Sequence, residues 1–110
     1  MKRAYELMII IEGDAEDGAL DRILSRAGEM VTASDGVVKS TDKWGKRRFA
    51  YEINKKWEGV YVVLEIVTEA SNLHDVERML RIADEVVRHK LIRLPDDEAV
   101  KRGLFVGASA

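Results

Sequence analysis

The sequence contains no cysteine. Disulfides, thiolate metal sites and thiol catalysis are therefore excluded, and the absence fits a reducing compartment. Only two histidines occur, His74 and His89, fifteen positions apart on different predicted elements. With no cysteine or second histidine at ligand spacing, neither points to zinc. Ser25, Ser34, Ser40, Ser71 and Ser109 lack a glycine-framed nucleophile turn. Gly13, Gly18, Gly28, Gly36, Gly45 and Gly59 never assemble a phosphate-cradling loop before a helix. No apolar run approaches the ~20 residues of a membrane span. The start, Met1-Lys2-Arg3-Ala4-Tyr5-Glu6, meets a glutamate too early for a signal peptide. The carboxylates lie mostly at helix starts and on helix surfaces, which is the pattern of a solvated face and not of an acid–base pair.

What is present is a densely charged globular chain of 110 residues, 46% hydrophobic and 35% charged, a length that suits one domain. Its net charge of −2 hides a strong asymmetry. Between residues 39 and 56, Lys39, Lys43, Lys46, Arg47, Arg48, Lys55 and Lys56 face only Asp42 and Glu52, so this stretch is +5 and the remainder is −7. Local basic density, not the total, governs nucleic-acid binding. The plainer alternative is a solvated hairpin whose lysines discourage edge aggregation.

Residues 3–11 alternate as a strand, with Tyr5, Leu7, Ile9 and Ile11 on one side and Ala4, Glu6, Met8 and Ile10 on the other. Asp14 is placed to cap a helix whose apolar stripe is Leu20, Ile23, Leu24, Ala27, Met30 and Val31. Residues 37–53 read as extended, and Gly45 favours a bulge within one long strand over a turn. The spacing predicts a turn over residues 54–59 and a strand from Val60 to Thr68, with Tyr61, Val63, Glu65 and Val67 opposite Val60, Val62, Leu64 and Ile66. Ser71 or Asn72 can cap a second helix striped by Leu73, Val76, Leu80 and Ala83. A last strand, Val86 to Leu94, stops at the chain's one proline, Pro95. Residues 95–110 show no clear period and read as a flexible C-terminal tail behind a domain spanning 1–94.

The order β-α-β-β-α-β is that of an α+β, ferredoxin-like βαββαβ domain, a four-stranded antiparallel sheet with two helices on one face. The other face carries Glu6, Met8, Ile10, Tyr61, Val63, Glu65 and Val67. A mixed face of this kind meets a partner unless the tail folds back over it. The fold also hosts small-molecule sensors and phosphate-cleaving enzymes. A sensor gives no reason for the basic arm, and the loop Glu12-Gly13-Asp14-Ala15-Glu16 would repel a phosphate. RNA-recognition motifs stack bases on paired rings in the third strand, which here offers only Tyr61. Phosphate contact by the basic arm is the expected mode.

Four segments carry a family resemblance. They are Tyr5-Glu6-Leu7-Met8-Ile9-Ile10, the run from Trp44 to Ile53 (WGKRRFAYEI), Lys55-Lys56-x-x-Gly59-x-Tyr61, and Leu80-Arg81-Ile82-x-Asp84-x-Val86-x-Arg88-His89. Over residues 3 to about 94 the chain resembles bacterial small-subunit ribosomal protein six. The resemblance implies a structural, non-catalytic part of the cytoplasmic ribosome with no cofactor, metal, small-molecule substrate or membrane. It implies binding to the central domain of small-subunit (16S) ribosomal RNA as a heterodimer with small-subunit ribosomal protein eighteen. Within that frame the expected RNA contacts are Lys2, Arg3, Lys46, Arg47, Arg48, Arg88 and His89. The expected partner face is Met8, Ile10, Tyr61 and Val63.

Overall fold

A computed structural model describes residues 2–16, 18–53, 55–69 and 73–104. β-branched and aromatic runs form four strands, β1 (Arg3–Glu12), β2 (Val37–Ile53), β3 (Lys56–Thr68) and β4 (Val86–Arg93). Three helices, α1 (Ala19–Ala33), α2 (His74–Ile82) and α3 (Asp96–Lys101), complete the elements of the described residues. The strands lie in the order β2-β3-β1-β4, and every neighbouring pair is antiparallel. This is the ferredoxin-like plan expected from the element order.

Register divides the sheet into two faces. Tyr5, Leu7, Ile9 and Ile11 stand opposite Ile66, Leu64, Val62 and Val60. Their side chains join Ile23, Ala27 and Val31 of α1 with Val76, Met79 and Leu80 of α2 in one core. Ala4, Glu6, Met8 and Ile10 stand opposite Val67, Glu65, Val63 and Tyr61 and face away from α1 and α2. The two alternating patterns in the sequence are therefore both realised.

β2 runs unbroken from Val37 to Ile53, and its register against β3 slips between Lys43 and Gly45. Gly45 sits at φ 86, a left-handed conformation that L side chains avoid, so a bulge forms here as the glycine suggested. The turn is shorter than expected. Ile53 already pairs with Lys56, and Lys55 takes a left-handed φ of 63. The charges of residues 55–58 concealed strand structure because a projecting hairpin needs no buried face. Past Glu12 opposite Gly59, β2 and β3 continue with neither β1 nor β4 beside them. This arm lengthens the molecule to 45 × 26 × 20 Å.

Two further expectations change. α1 starts one turn later than Asp14 implied, with Gly18 as its N-cap in a left-handed conformation. Asp14 lies instead 3.7 Å from Lys56 Nζ. Ser71 and Asn72, the expected caps of α2, lie outside the described residues, as do 105–110. The tail expected from residue 95 contains α3, and Ala99 and Leu104 bury against Ala4, Val67 and Leu94. A single turn and a half of helix carries too few apolar positions to show a period, which is why the sequence pattern missed it.

Gly59 is pressed between strands. A Cβ there would lie 2.7 Å from Ile10 Cγ2, 2.8 Å from Ile11 O and 2.9 Å from Phe49 Cζ. Gly28, by contrast, lies inside α1 with nothing within 4 Å of such a Cβ. Urea denaturation should show Gly59→Ala destabilised by about 1–3 kcal/mol through overpacking. Gly28→Ala should be stabilised by about 0.5–1 kcal/mol through helix propensity. Equal midpoints for the two variants would contradict this packing.

Candidate nucleic-acid and partner interface

The open face has a built aromatic centre. The bulge at Gly45 changes the parity of β2, so Trp44 stacks on Tyr61 with ring centroids 6.1 Å apart and planes 4° from parallel. Phe49 meets Tyr61 edge-on at 6.2 Å and 61°. Ile10 and Val63 are only 5% and 7% exposed, so they support the patch from beneath. The surface left for a partner comes from Met8, Tyr61 and Trp44. Sequence reasoning missed Trp44 because it took the residue as an interruption of the strand. The signal was the adjacent glycine, whose bulge turns its neighbour to the other face.

The seven expected RNA contacts do not form one patch. Arg47 stands opposite Gly59 where the arm leaves the sheet, exposed and with no ion-pair partner among the described residues. Lys46 Nζ lies 3.6 Å from a Glu58 carboxylate oxygen. The Arg48 guanidinium lies 5.6 Å from the centre of the Trp57 ring. On the far margin Arg88 stands opposite Ile10, and Lys90, not among the expected contacts, stands opposite Met8. Cations thus flank the apolar patch on both sides. His89 stands opposite Ile9 and so faces the helices, where its Nε2 lies 3.5 Å from Glu77 of α2. Adjacent strand residues point to opposite faces, which separates His89 from Arg88. Arg3 begins β1 and Lys2 precedes it, about 30 Å of strand away from the Gly59 end. There Lys2 pairs with Asp35 at 3.7 Å and Arg3 with Asp96 at 3.4 Å.

The remaining end of the open face is occupied from within the chain. Glu6 and Glu65 stand directly opposite each other on β1 and β3. Like charges in that position repel. Arg102, just after α3, donates from one guanidinium nitrogen to both carboxylates at 3.0 Å, and from Nε to Glu98 at 2.8 Å. The Ser40 hydroxyl donates to Glu65 at 2.7 Å. The tail as far as Leu104 therefore folds back over the Ala4–Val67 end, and none of these described tail residues covers Met8, Tyr61 or Trp44. Arg102 was missed by sequence reasoning because its acceptors are 96 and 37 positions away.

The family model for ribosomal protein S6 matches residues 4–93. The chain belongs to that family. The small ribosomal subunit protein bS6 of Carboxydothermus hydrogenoformans is 43% identical over 93 residues, covering 84% of this chain and 97% of the relative. The bS6 protein of Exiguobacterium sp. is 44% identical over 86 residues, covering 78% and 90%. The crystal structure of 30S ribosomal protein S6 from Thermotoga maritima aligns with a TM-score of 0.83 at 28% identity, over 94% of this chain and 98% of that one. S6 proteins are structural components of the small ribosomal subunit, in bacteria a cytoplasmic particle, and this chain is not an enzyme. No helix among the described residues is long and apolar enough to cross a membrane. The matched segment ends before α3, so the Arg102 clamp lies outside it.

The hydrogen bond from Ser40 is the largest influence on the Glu65 carboxyl; burial opposes it, and the hydrogen bond and charge of Arg102 add to it, so the group is held below its usual value of 4.5. A lowered folded pKa contributes stability that is complete above the unfolded value and is lost as pH falls through the folded one. Stability should therefore decline below about pH 4.5, and Glu65→Gln should flatten that decline in denaturation curves. Arg102→Ala should cost about 1 kcal/mol at neutral pH by leaving the two facing glutamates without their cation. An unchanged midpoint in Arg102→Ala would remove the clamp from the account.

Proposed function

We propose that this S6 protein binds the central domain of 16S ribosomal RNA jointly with small-subunit ribosomal protein eighteen, and so supports assembly of the subunit platform. The observation that carries this reading is the uncovered apolar patch of Met8, Tyr61 and Trp44 with Arg47 on one margin and Arg88 and Lys90 on the other. Apolar surface of this kind suits a protein partner. Cations at its edges suit phosphates that pass beside that partner. Ile10 and Val63 hold the patch in shape, and Arg48 and Lys46 extend the positive edge along the arm. Lys2 and Arg3 at the far end of β1 would form a separate contact.

An overall charge of −2 fits this division. Much of the positive charge is already paired within the chain, as in Lys43 with Asp21 at 3.0 Å and Lys56 with Glu12 at 3.6 Å. Among the described residues the cations without an ion pair that adjoin the patch are Arg47, Arg88 and Lys90, so the protein partner must supply part of the affinity. Each phosphate contact contributes about 0.7–0.9 to the slope of log affinity against log salt. Replacing Arg47 and Arg48 by glutamate should weaken incorporation into small subunits and reduce that slope by about 1–2. Quantitative binding of the jointly purified pair to a central-domain fragment across a salt series measures it. An unchanged slope removes both arginines from the contact.

A further inference from the structure

Trp57 belongs neither to the apolar patch of Met8, Tyr61 and Trp44 nor to its flanking cations. It stands on the projecting arm, with Gly59 the nearest residue to which β1 pairs, and it keeps 47% of its surface exposed. One exposed indole alone requires no explanation. Its surroundings are more specific. The Arg48 guanidinium lies 5.6 Å from the ring centre and fixes the indole by cation–π attraction. Beside the ring is a shallow hollow of about 390 Å³, lined by Gly13, Asp14, Lys46, Lys55, Lys56 and Glu58. That volume falls within the ~300–1,000 Å³ of small-ligand sites.

Charge at the hollow is nearly balanced. Lys46 pairs with Glu58, and Lys56 with Glu12 and Asp14. Lys55 has no ion-pair partner among the described residues and is held at the turn by a left-handed backbone. Electrostatic attraction for a strand of phosphates is therefore weak, whereas the flat indole is well presented. An acidic peptide would satisfy Lys55 but leave the ring unused. An unpaired nucleotide uses both, its base on the ring and its phosphate on the lysine.

We propose that the hollow beside Trp57 is a stacking site for a single unpaired RNA nucleotide, with Arg48 steadying the indole and Lys55 meeting the phosphate. This rests on the reading of the arm as an RNA contact, and it changes the mode from phosphate contact alone to phosphate contact with base stacking. Every base has a π-face, so the site is tolerant of sequence.

The test uses the full chain carrying Trp44→Phe, which leaves Trp57 as the only tryptophan. The probes are a single-stranded uridine dodecamer and an abasic ribose-phosphate strand of equal length, both at low salt. The uridine strand should quench Trp57 fluorescence and the abasic strand should not. Trp57→Leu should weaken uridine-strand binding about ten-fold or more, as loss of one stacked base does, with an unchanged salt slope. Trp57→Phe should restore most of the affinity. Absence of quenching, or equal affinity of Trp57→Leu, overturns the stacking site. Arg47→Glu separates the two readings. Weakening by Arg47→Glu with no effect of Trp57→Leu leaves the arm as a phosphate contact without stacking, and no effect of either overturns both.

Discussion

The antiparallel register of β1 against β3 is the constraint on which the rest depends. Placing Leu7 opposite Leu64 commits every odd residue of β1 to the helices and every even one to the open face. A slip of β1 by one residue would bury Glu6 under α1 and α2 and expose Leu7 and Ile9. The desolvation penalty for that carboxylate, added to the lost burial of large aliphatic chains, makes that alternative inaccessible. The same register sets Met8 against Val63 and Ile10 against Tyr61, so the core and the interaction surface are determined together.

A consequence of that register is the facing pair Glu6 and Glu65, and α3 is the chain's answer to it. Arg102 reaches both carboxylates while Ala99 and Leu104 cover Ala4 and Val67. Among the described residues the open face is thereby divided into an end satisfied from within and an apolar centre left bare. The bare part adjoins the arm, so a protein partner on the patch and an RNA strand along the arm would lie side by side.

The sequence made both faces of β1 and β3 legible, because period-2 alternation in a half-buried sheet has one solution. The stripe of α1 and the bulge at Gly45 were legible for similar reasons, since each follows from local sterics. The extent of the arm was not, because residues 47–58 bury little and so leave no hydrophobic pattern. The four expected patch residues do share one face, but periodicity gave their side without their depth, and Ile10 and Val63 prove buried. His89 was grouped with Arg88 by sequence adjacency, although strand alternation sends the two apart. Trp44 and Arg102 depend on a parity change and on contacts distant in sequence, neither of which a local pattern records.

The acidic composition and the small number of cations beside the apolar patch lead to one central claim, that the chain needs its protein partner to hold RNA. The direct measurement is the affinity for a 16S central-domain fragment of this chain alone and of the chain together with small-subunit ribosomal protein eighteen, at one physiological salt concentration. The account predicts weak or undetectable binding by the chain alone and tight binding by the pair. Equal affinity of the isolated chain and the pair would contradict it.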